Sequence, residues 1–349
     1  MWKVTLNAES KRIIAGYERF VEDFFEWTLK YDIGVSQKRV YDDIKQKRTS
    51  FERVAAKSTK LKKKVFDFIT YRKKMEVFYS YIEYSNNYTK YINDNLSVLP
   101  NSYSNPVVKG IFEGFYTDMS SLDCFAREYL GGTKNSLHQY RVEFGQTVRV
   151  CPYCDTNKIE DPDESDIDHF FPKGEYPLLS TFLNNLVVAC TRCNQRVKRD
   201  RFSLPLLHPF INDIDSSFRF TYYLNKKPKD VEVDFKIVGD INATTNFINI
   251  FKLKKKYNKY EKDYILSFRD NLRDDVKDEY LTHYPMQENI LILKKIYLKW
   301  LKKAFQRNRR ILKKEKCSKA INDLYLQMFL NRDNEILSLA HSLKFTSVR

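Results

Sequence analysis

Glycine and proline are scarce, at 9 and 10 of 349 residues. Strand-and-turn architectures consume both at their turns, so the shortage points away from an all-β fold and toward a mostly helical chain. No apolar run approaches the roughly 20 residues of a membrane-spanning helix. Met1-Trp2-Lys3-Val4-Thr5 leads directly into a polar amphipathic stretch. With neither secretory leader nor membrane span in view, the expected setting is the cytoplasm, where thiols stay reduced and free to bind metal. There is also no internal repeat, no glycine-rich phosphate loop and no nucleophile elbow, which sets aside solenoids, P-loop nucleotide enzymes and α/β-hydrolases.

What is present is bulk and positive charge. Hydrophobic residues make up 42% and aromatics 15%, enough for a large core and unlike a disordered composition. The net charge is +16. A basic surface attracts polyanions, of which nucleic acid is the commonest. Abundant Lys, Asn, Ile and Tyr also describe a low-GC genome, so charge alone favours such a partner only modestly. The length exceeds what one compact core needs. The expected division is a helical region over 1–140, a central module over 141–205 and a mostly helical region over 206–349.

In the first region Ile13, Tyr17, Phe20, Val21 and Phe24 recur at helical spacing. Basic segments follow at Lys60-Leu61-Lys62-Lys63-Lys64 and Arg72-Lys73-Lys74, with Val65, Phe66, Phe68, Ile69, Phe78 and Tyr79 as the apolar side. The aromatic stripe reads as core rather than as a stacking platform for bases. Residues 101–106 read as a loop, and Gly131-Gly132 should stop the apolar pattern before them. In the last region Phe218–Tyr223 and Val231–Val238 alternate and could pair as strands. Leu293, Ile296, Tyr297, Trp300, Ala304 and Phe305 line one helix face, with lysines mostly off it. Such a basic face is more often solvated than bound to phosphate.

The central module is organised by thiols. Two of six cysteines, Cys124 and Cys317, stand alone; Cys151–Cys154 and Cys190–Cys193 form two Cys-x-x-Cys knuckles. Two knuckles supply the four thiolates of a tetrahedral site, which is closed to substrate and therefore structural, with Zn²⁺ the expected ion. The knuckles are separated by 35 residues, Asp155 to Ala189, against about 15–20 in a compact zinc ribbon. The surplus carries Asp168-His169-Phe170-Phe171-Pro172-Lys173 and then Asn184-Asn185-Leu186-Val187. Thr147–Val150 reads as a short strand delivering the first knuckle, Ile167–Phe171 and Leu186–Ala189 as further strands, and Asn194–Arg201 as a short helix. The acidic residues from Asp155 to Asp166 read as solvated loop charge, with Asp166 best placed for a minor role. His208 approaches the site or caps the fold; the residues alone leave both open.

Phosphodiester hydrolysis needs an activated water and a cation to neutralise the phosphate and the leaving oxygen. Histidine suits the first task, being largely neutral at pH 7. A lone Asp-His pair is weak evidence, and neighbours on a regular strand face opposite sides. Asn194 lies just past the last thiol, on the element the zinc anchors, and its amide oxygen suits Mg²⁺.

In combination, residues Cys151 to Asp200 resemble the HNH endonuclease family, whose fold is a zinc-supported ββα-metal finger. The resemblance covers about 50 of 349 residues. With the helical patterning of the rest of the chain, the expected fold is mainly α, helical N- and C-terminal regions flanking a small zinc-stapled ββα-metal module. The resemblance implies that His169 activates water, that Asp168 and Asn194 hold one catalytic Mg²⁺ or Mn²⁺, and that Asn185 braces the loop carrying the histidine. Lys173 and Lys198 look like phosphate contacts, although Lys198 fits a solvated helix face equally well. The layout is similar to HNH modules with helical flanks in bacterial anti-phage effectors, including the nuclease subunit of Septu-type systems, which works beside an ATPase. By that analogy the expected partners are nucleic acid, DNA ahead of RNA, and either an ATPase subunit or a second copy of the chain. The rival readings are a zinc-stabilised nucleic-acid-binding or assembly module without catalysis, and an HNH nuclease acting on structured RNA such as tRNA.

Overall fold

The computed structural model describes residues 3–93, 105–224, 231–285, 287–311 and 314–345. They are mainly helical and divide into two compact units, the first of residues 3–149 and 159–212, the second of 150–158 and 213–345. No helix among the described residues is long and apolar enough to cross a membrane.

The first unit opens with eight helices: α1 (Ala8–Thr28), α2 (Gln37–Lys45), α3 (Ser50–Lys57), α4 (Thr59–Ile69), α5 (Lys74–Asn93), α6 (Pro106–Met119), α7 (Asp123–Tyr129) and α8 (Ser136–Val148). Side chains that bond exposed backbone N–H groups start several of them. Asn7 accepts from Ser10, Ser58 from Leu61, and Thr49 and Glu52 form a capping box. Asn105 caps α6 with Pro106 in its first turn; residues 101–104 of the expected loop lie outside the described residues. The left-handed pair Gly131 and Gly132, with φ of 56° and 90°, follows α7, and the Gly132 N–H closes on the Ala126 carbonyl at 2.8 Å.

The apolar stripe of α1 is the core of this unit. Ile13, Phe20, Val21 and Phe24 are fully buried. Phe20 meets Phe115 of α6 edge-on at 5.1 Å, and Phe24 meets Phe68 of α4 at 4.9 Å. Each such ring contributes about 1.5–3 kcal/mol by leaving water. Tyr79 departs from the expected apolar side: it is 63% exposed.

Two strands follow, β1 (Ser165–His169) and β2 (Leu186–Cys190). They pair antiparallel, with Asp168 opposite Val187 and His169 opposite Leu186. Helix α8 holds this hairpin. The Tyr140 hydroxyl donates to the Leu186 carbonyl at 2.7 Å, and Arg141 donates to the Ser165 carbonyl at 2.9 Å. A wide-turned π-helix, Arg192–Lys198, comes after β2. The strand expected over Thr147–Val150 is not formed. Thr147 and Val148 are the last turn of α8, and the Arg149 N–H closes it on the Gly145 carbonyl at 2.8 Å. A helix already nucleated propagates through two β-branched residues at small cost. Val150 keeps one antiparallel bridge, to Lys158.

In the second unit a short helix, α9 (Ile214–Ser217), leads into β3 (Phe218–Leu224) and β4 (Val231–Ile237), and six helices follow. They are α10 (Ile241–Ile250), α11 (Leu253–Lys256), α12 (Lys262–His283), α13 (Ile290–Ile311), α14 (Ser318–Leu330) and α15 (Arg332–Ser342), with a π-turn Tyr257–Glu261 before α12. The expected strand pairing is present, with Phe220 opposite Phe235. Side chains of α14 cover the free edge of β3: the Phe220 and Tyr222 N–H groups donate to Asp323 and Gln327 at 3.0 and 2.9 Å. On α13 the basic face is partly neutralised, with Lys299 on Glu279 at 2.7 Å and Lys294 on Asp333 at 3.1 Å.

The first knuckle packs within this unit. Tyr153 stacks on Phe251 at 4.1 Å, and the Tyr257 hydroxyl donates to the Cys154 carbonyl at 2.9 Å. Asp155 corrects the solvated-loop expectation. It is completely buried at a left-handed φ of 56°, its main-chain carbonyl accepts the Cys317 N–H, and its carboxylate accepts the Lys319 N–H at 3.0 Å. Burial holds its pKa above the usual carboxylate range.

Candidate active site

His169 ends β1 with 9% of its surface exposed. Its Nε2 lies 3.0 Å from the Ser180 carbonyl oxygen. A carbonyl can only accept, so Nε2 carries the proton and Nδ1 is left as the lone pair. Ser180 is itself anchored, its hydroxyl donating to the Phe112 carbonyl on α6 at 2.7 Å. Tyr116, one helical turn further along α6, sets its ring edge-on to the imidazole at 4.6 Å. Burial, and after it the Lys173 ammonium, pulls the His169 pKa down to about 3. The ring is therefore neutral at physiological pH. Lys173 is half-buried, with its ammonium 5.2 Å above the Tyr116 ring.

Asn185 stands at the entry to β2 and is fully buried. Its amide nitrogen donates to the Phe171 and Leu179 carbonyls at 3.1 and 3.0 Å, and its oxygen accepts the Phe171 N–H at 2.7 Å and the Tyr88 hydroxyl at 3.1 Å. One amide thus closes both ends of the loop that follows His169. Behind it lies His208, fully buried, with its ring 4.1 Å from Phe170 and its Nε2 3.5 Å from the Tyr88 hydroxyl. Burial holds the His208 pKa at about 3.

Asp168 is 2% exposed. Its Oδ1 receives the Lys198 ammonium at 2.9 Å, and the same ammonium donates to the His169 carbonyl at 2.8 Å. Lys198 is fully buried, so it does not lie on a solvated helix face. One turn earlier in the π-helix, Gln195 donates to Asp166 at 2.8 Å. Asn194 sits half-buried in the same helix, and its carbonyl accepts the Arg199 N–H at 2.8 Å. The carboxylate of Asp168 and the amide of Asn194 are hard oxygen donors of the kind Mg²⁺ or Mn²⁺ takes, and the buried carboxylate is already built around a cation.

The thiols of Cys151, Cys154, Cys190 and Cys193 are all buried and gather within 4.8 Å of one another. A zinc–sulfur length of about 2.3 Å sets tetrahedral sulfurs about 3.8 Å apart, so the cluster fits such an ion. Cys154 Sγ also receives the Lys256 ammonium at 2.9 Å, and Lys256 is buried. That contact favours the thiolate form that binds metal.

Tyr88, Tyr116 and Ser180 escaped the reading of the sequence. Tyr88 had a signal: it belongs to the buried face Val77, Tyr81, Tyr84, Tyr88 of α5, and a buried hydroxyl must find a partner. Ser180 acts through its main chain, which no residue type announces.

The comparison with protein families agrees with this geometry: the family model "HNH endonuclease" matches residues 151–200, within the central module. A curated protein, Septu protein PtuB from Bacillus thuringiensis, is 30% identical over 79 residues. That stretch covers 22% of this chain and 31% of PtuB, so the chain matches less than a third of its relative's length. No solved structure matches the chain.

Proposed function

We propose that the chain is a metal-dependent endonuclease that hydrolyses phosphodiester bonds of DNA and serves as an effector of anti-phage defence in the cytoplasm. The observation that carries the reading is the fixed tautomer of His169. Its Nε2–H is tied to the Ser180 carbonyl, and Nδ1 is left as the lone pair of a neutral base. Nδ1 accepts the proton of the attacking water, and the imidazolium that forms keeps its bond to Ser180. A divalent ion held by Asp168 and Asn194 would neutralise charge on the phosphate and the leaving oxygen. Lys173, next to His169 and over Tyr116, meets a substrate phosphate. Lys198 is assigned to Asp168 instead of a substrate phosphate, because it is buried on that carboxylate. Asn185 keeps the loop behind His169 closed, and zinc on the four thiols holds the frame. The likeness to a Septu protein supports the place in defence; the partner read by analogy of layout is an ATPase subunit or a second copy of the chain.

The test is cleavage of supercoiled plasmid, linear duplex and total tRNA, with Mg²⁺ or Mn²⁺ and with EDTA, by the wild type and His169→Ala. The expected outcome is metal-dependent cutting of DNA that falls by about 10²–10⁴-fold in the variant. Preferred cutting of tRNA would move the substrate to structured RNA. Equal nucleic-acid binding by both proteins, with no cutting by either even beside an ATPase partner, would leave a binding module.

A further inference from the structure

We propose that Lys198 is a built-in counter-cation for Asp168: its ammonium holds the carboxylate in place in the metal-free protein and competes with the divalent ion for it. The inference rests on the reading of Asp168 as a metal ligand. Of the basic residues from Arg192 to Arg201, Lys198 alone is buried; Arg196, Arg199 and Arg201 are exposed and Arg192 is half-buried. Its direction is set by the backbone. The π-helix turns more widely than an α-helix and ends at Lys198, where Arg199 takes a left-handed φ of 51° and returns its N–H to the Asn194 carbonyl. The lysine stem then runs inward, and the ammonium ends 2.9 Å from Asp168 Oδ1 and 2.8 Å from the carbonyl of His169. One cation therefore grips both members of the Asp-His pair.

An ammonium is not left in an apolar interior without partners, and neither is a carboxylate. Each accounts for the burial of the other. The neighbouring charges do not substitute for it: Asp166 is engaged by Gln195, and Lys173 stands over Tyr116 beside His169. A divalent ion arriving at Asp168 meets a carboxylate whose charge is already balanced, and a like charge close by. Lysine suits such a place, because its compact charge rides on a flexible stem that can withdraw. The metal-free chain keeps a formed site, and the metal is bound less tightly in return. Lys198 is thus a positioning residue that tunes metal affinity, and it touches no substrate atom.

The experiment uses the full-length, zinc-loaded chain. Mn²⁺ binding is followed by the paramagnetic resonance of free Mn²⁺, and thermal unfolding is recorded with and without Mn²⁺. Mn²⁺ leaves the thiolate site alone, since soft sulfur ligands disfavour it. Wild type, Lys198→Met, Asp168→Asn and the double variant are compared. Lys198→Met is expected to lose about 10 °C in Tm without metal, because a buried carboxylate loses its ammonium partner. It should regain that loss at saturating Mn²⁺ and bind Mn²⁺ at least about tenfold more tightly. The double variant should recover stability without metal and bind no Mn²⁺ at the site. If Lys198→Met folds poorly, refolding it with Mn²⁺ should rescue it; failure of that rescue would overturn the proposal. Mn²⁺ affinity equal to or below wild type in Lys198→Met would reduce Lys198 to packing. A wild type that binds no Mn²⁺ would instead remove Asp168 as a ligand, and the inference with it.

Discussion

Two of the buried lysines lie against groups read as metal ligands, and the roles proposed for them are opposite. Lys256 lies on the sulfur of Cys154, and Lys198 lies on the carboxylate of Asp168. A four-thiolate zinc site has all its positions filled by protein, so an ammonium outside it lowers the charge on one sulfur and excludes nothing. A carboxylate that must hold a divalent ion needs its oxygens, so an ammonium there stands where charge is wanted. On the reading proposed for Lys198, the same residue type supports a closed centre and restrains an open one.

The comparison predicts a graded series. The largest effect belongs to the closed centre. Cys190→Ala should lose zinc and fold poorly, since structural zinc contributes on the order of 10 kcal/mol. Circular dichroism and zinc content read this directly. A stable, zinc-free variant would show the thiols to be dispensable. Next comes Lys256→Met, which should keep one zinc per chain and lose about 1.5–3 kcal/mol in denaturant unfolding. Loss of the metal would make Lys256 essential to the thiolates and erase the contrast with Lys198.

A third effect, read as a pH slope, concerns two buried rings that stay neutral. His208 has a folded pKa of about 3 against roughly 6.5 when unfolded, so the fold favours its neutral form. Its stability contribution is complete above pH 6.5 and is lost as pH falls from there toward 3, at about 1.4 kcal/mol per pH unit. His169 titrates in the same direction. Replacing His208 with Gln should therefore flatten the acid slope of unfolding between pH 6 and 4. An unchanged slope would place the acid sensitivity elsewhere.

Much of this was legible in the residues. The spacing of the cysteines anticipates a thiol cluster, because two tight knuckles have few other ways to satisfy four sulfurs. The α1 stripe is legible because Ile13 to Phe24 repeat at the helical period over several turns. Thr147–Val150 misleads because four residues carry too little periodicity to outweigh a helix arriving from Ser136. Asp155 misleads for another reason. Its neighbours are acidic and exposed, and its burial depends on Lys319 and Cys317, more than 160 residues away in the chain. Lys198 is illegible in the same way, since nothing in Asn194–Arg201 marks one lysine among several basic residues as the one turned inward.

The Asn185 amide has one more consequence. It meets the loop after His169 at Phe171 and again at Leu179, while Ser180 receives the imidazole one residue later. The freedom of that stretch is removed once, when the chain folds. If His169 is the base proposed above, turnover would not have to remove it again: a water reaching Nδ1 would find the ring already aimed, and the ordering that catalysis needs would be part of the free energy of folding.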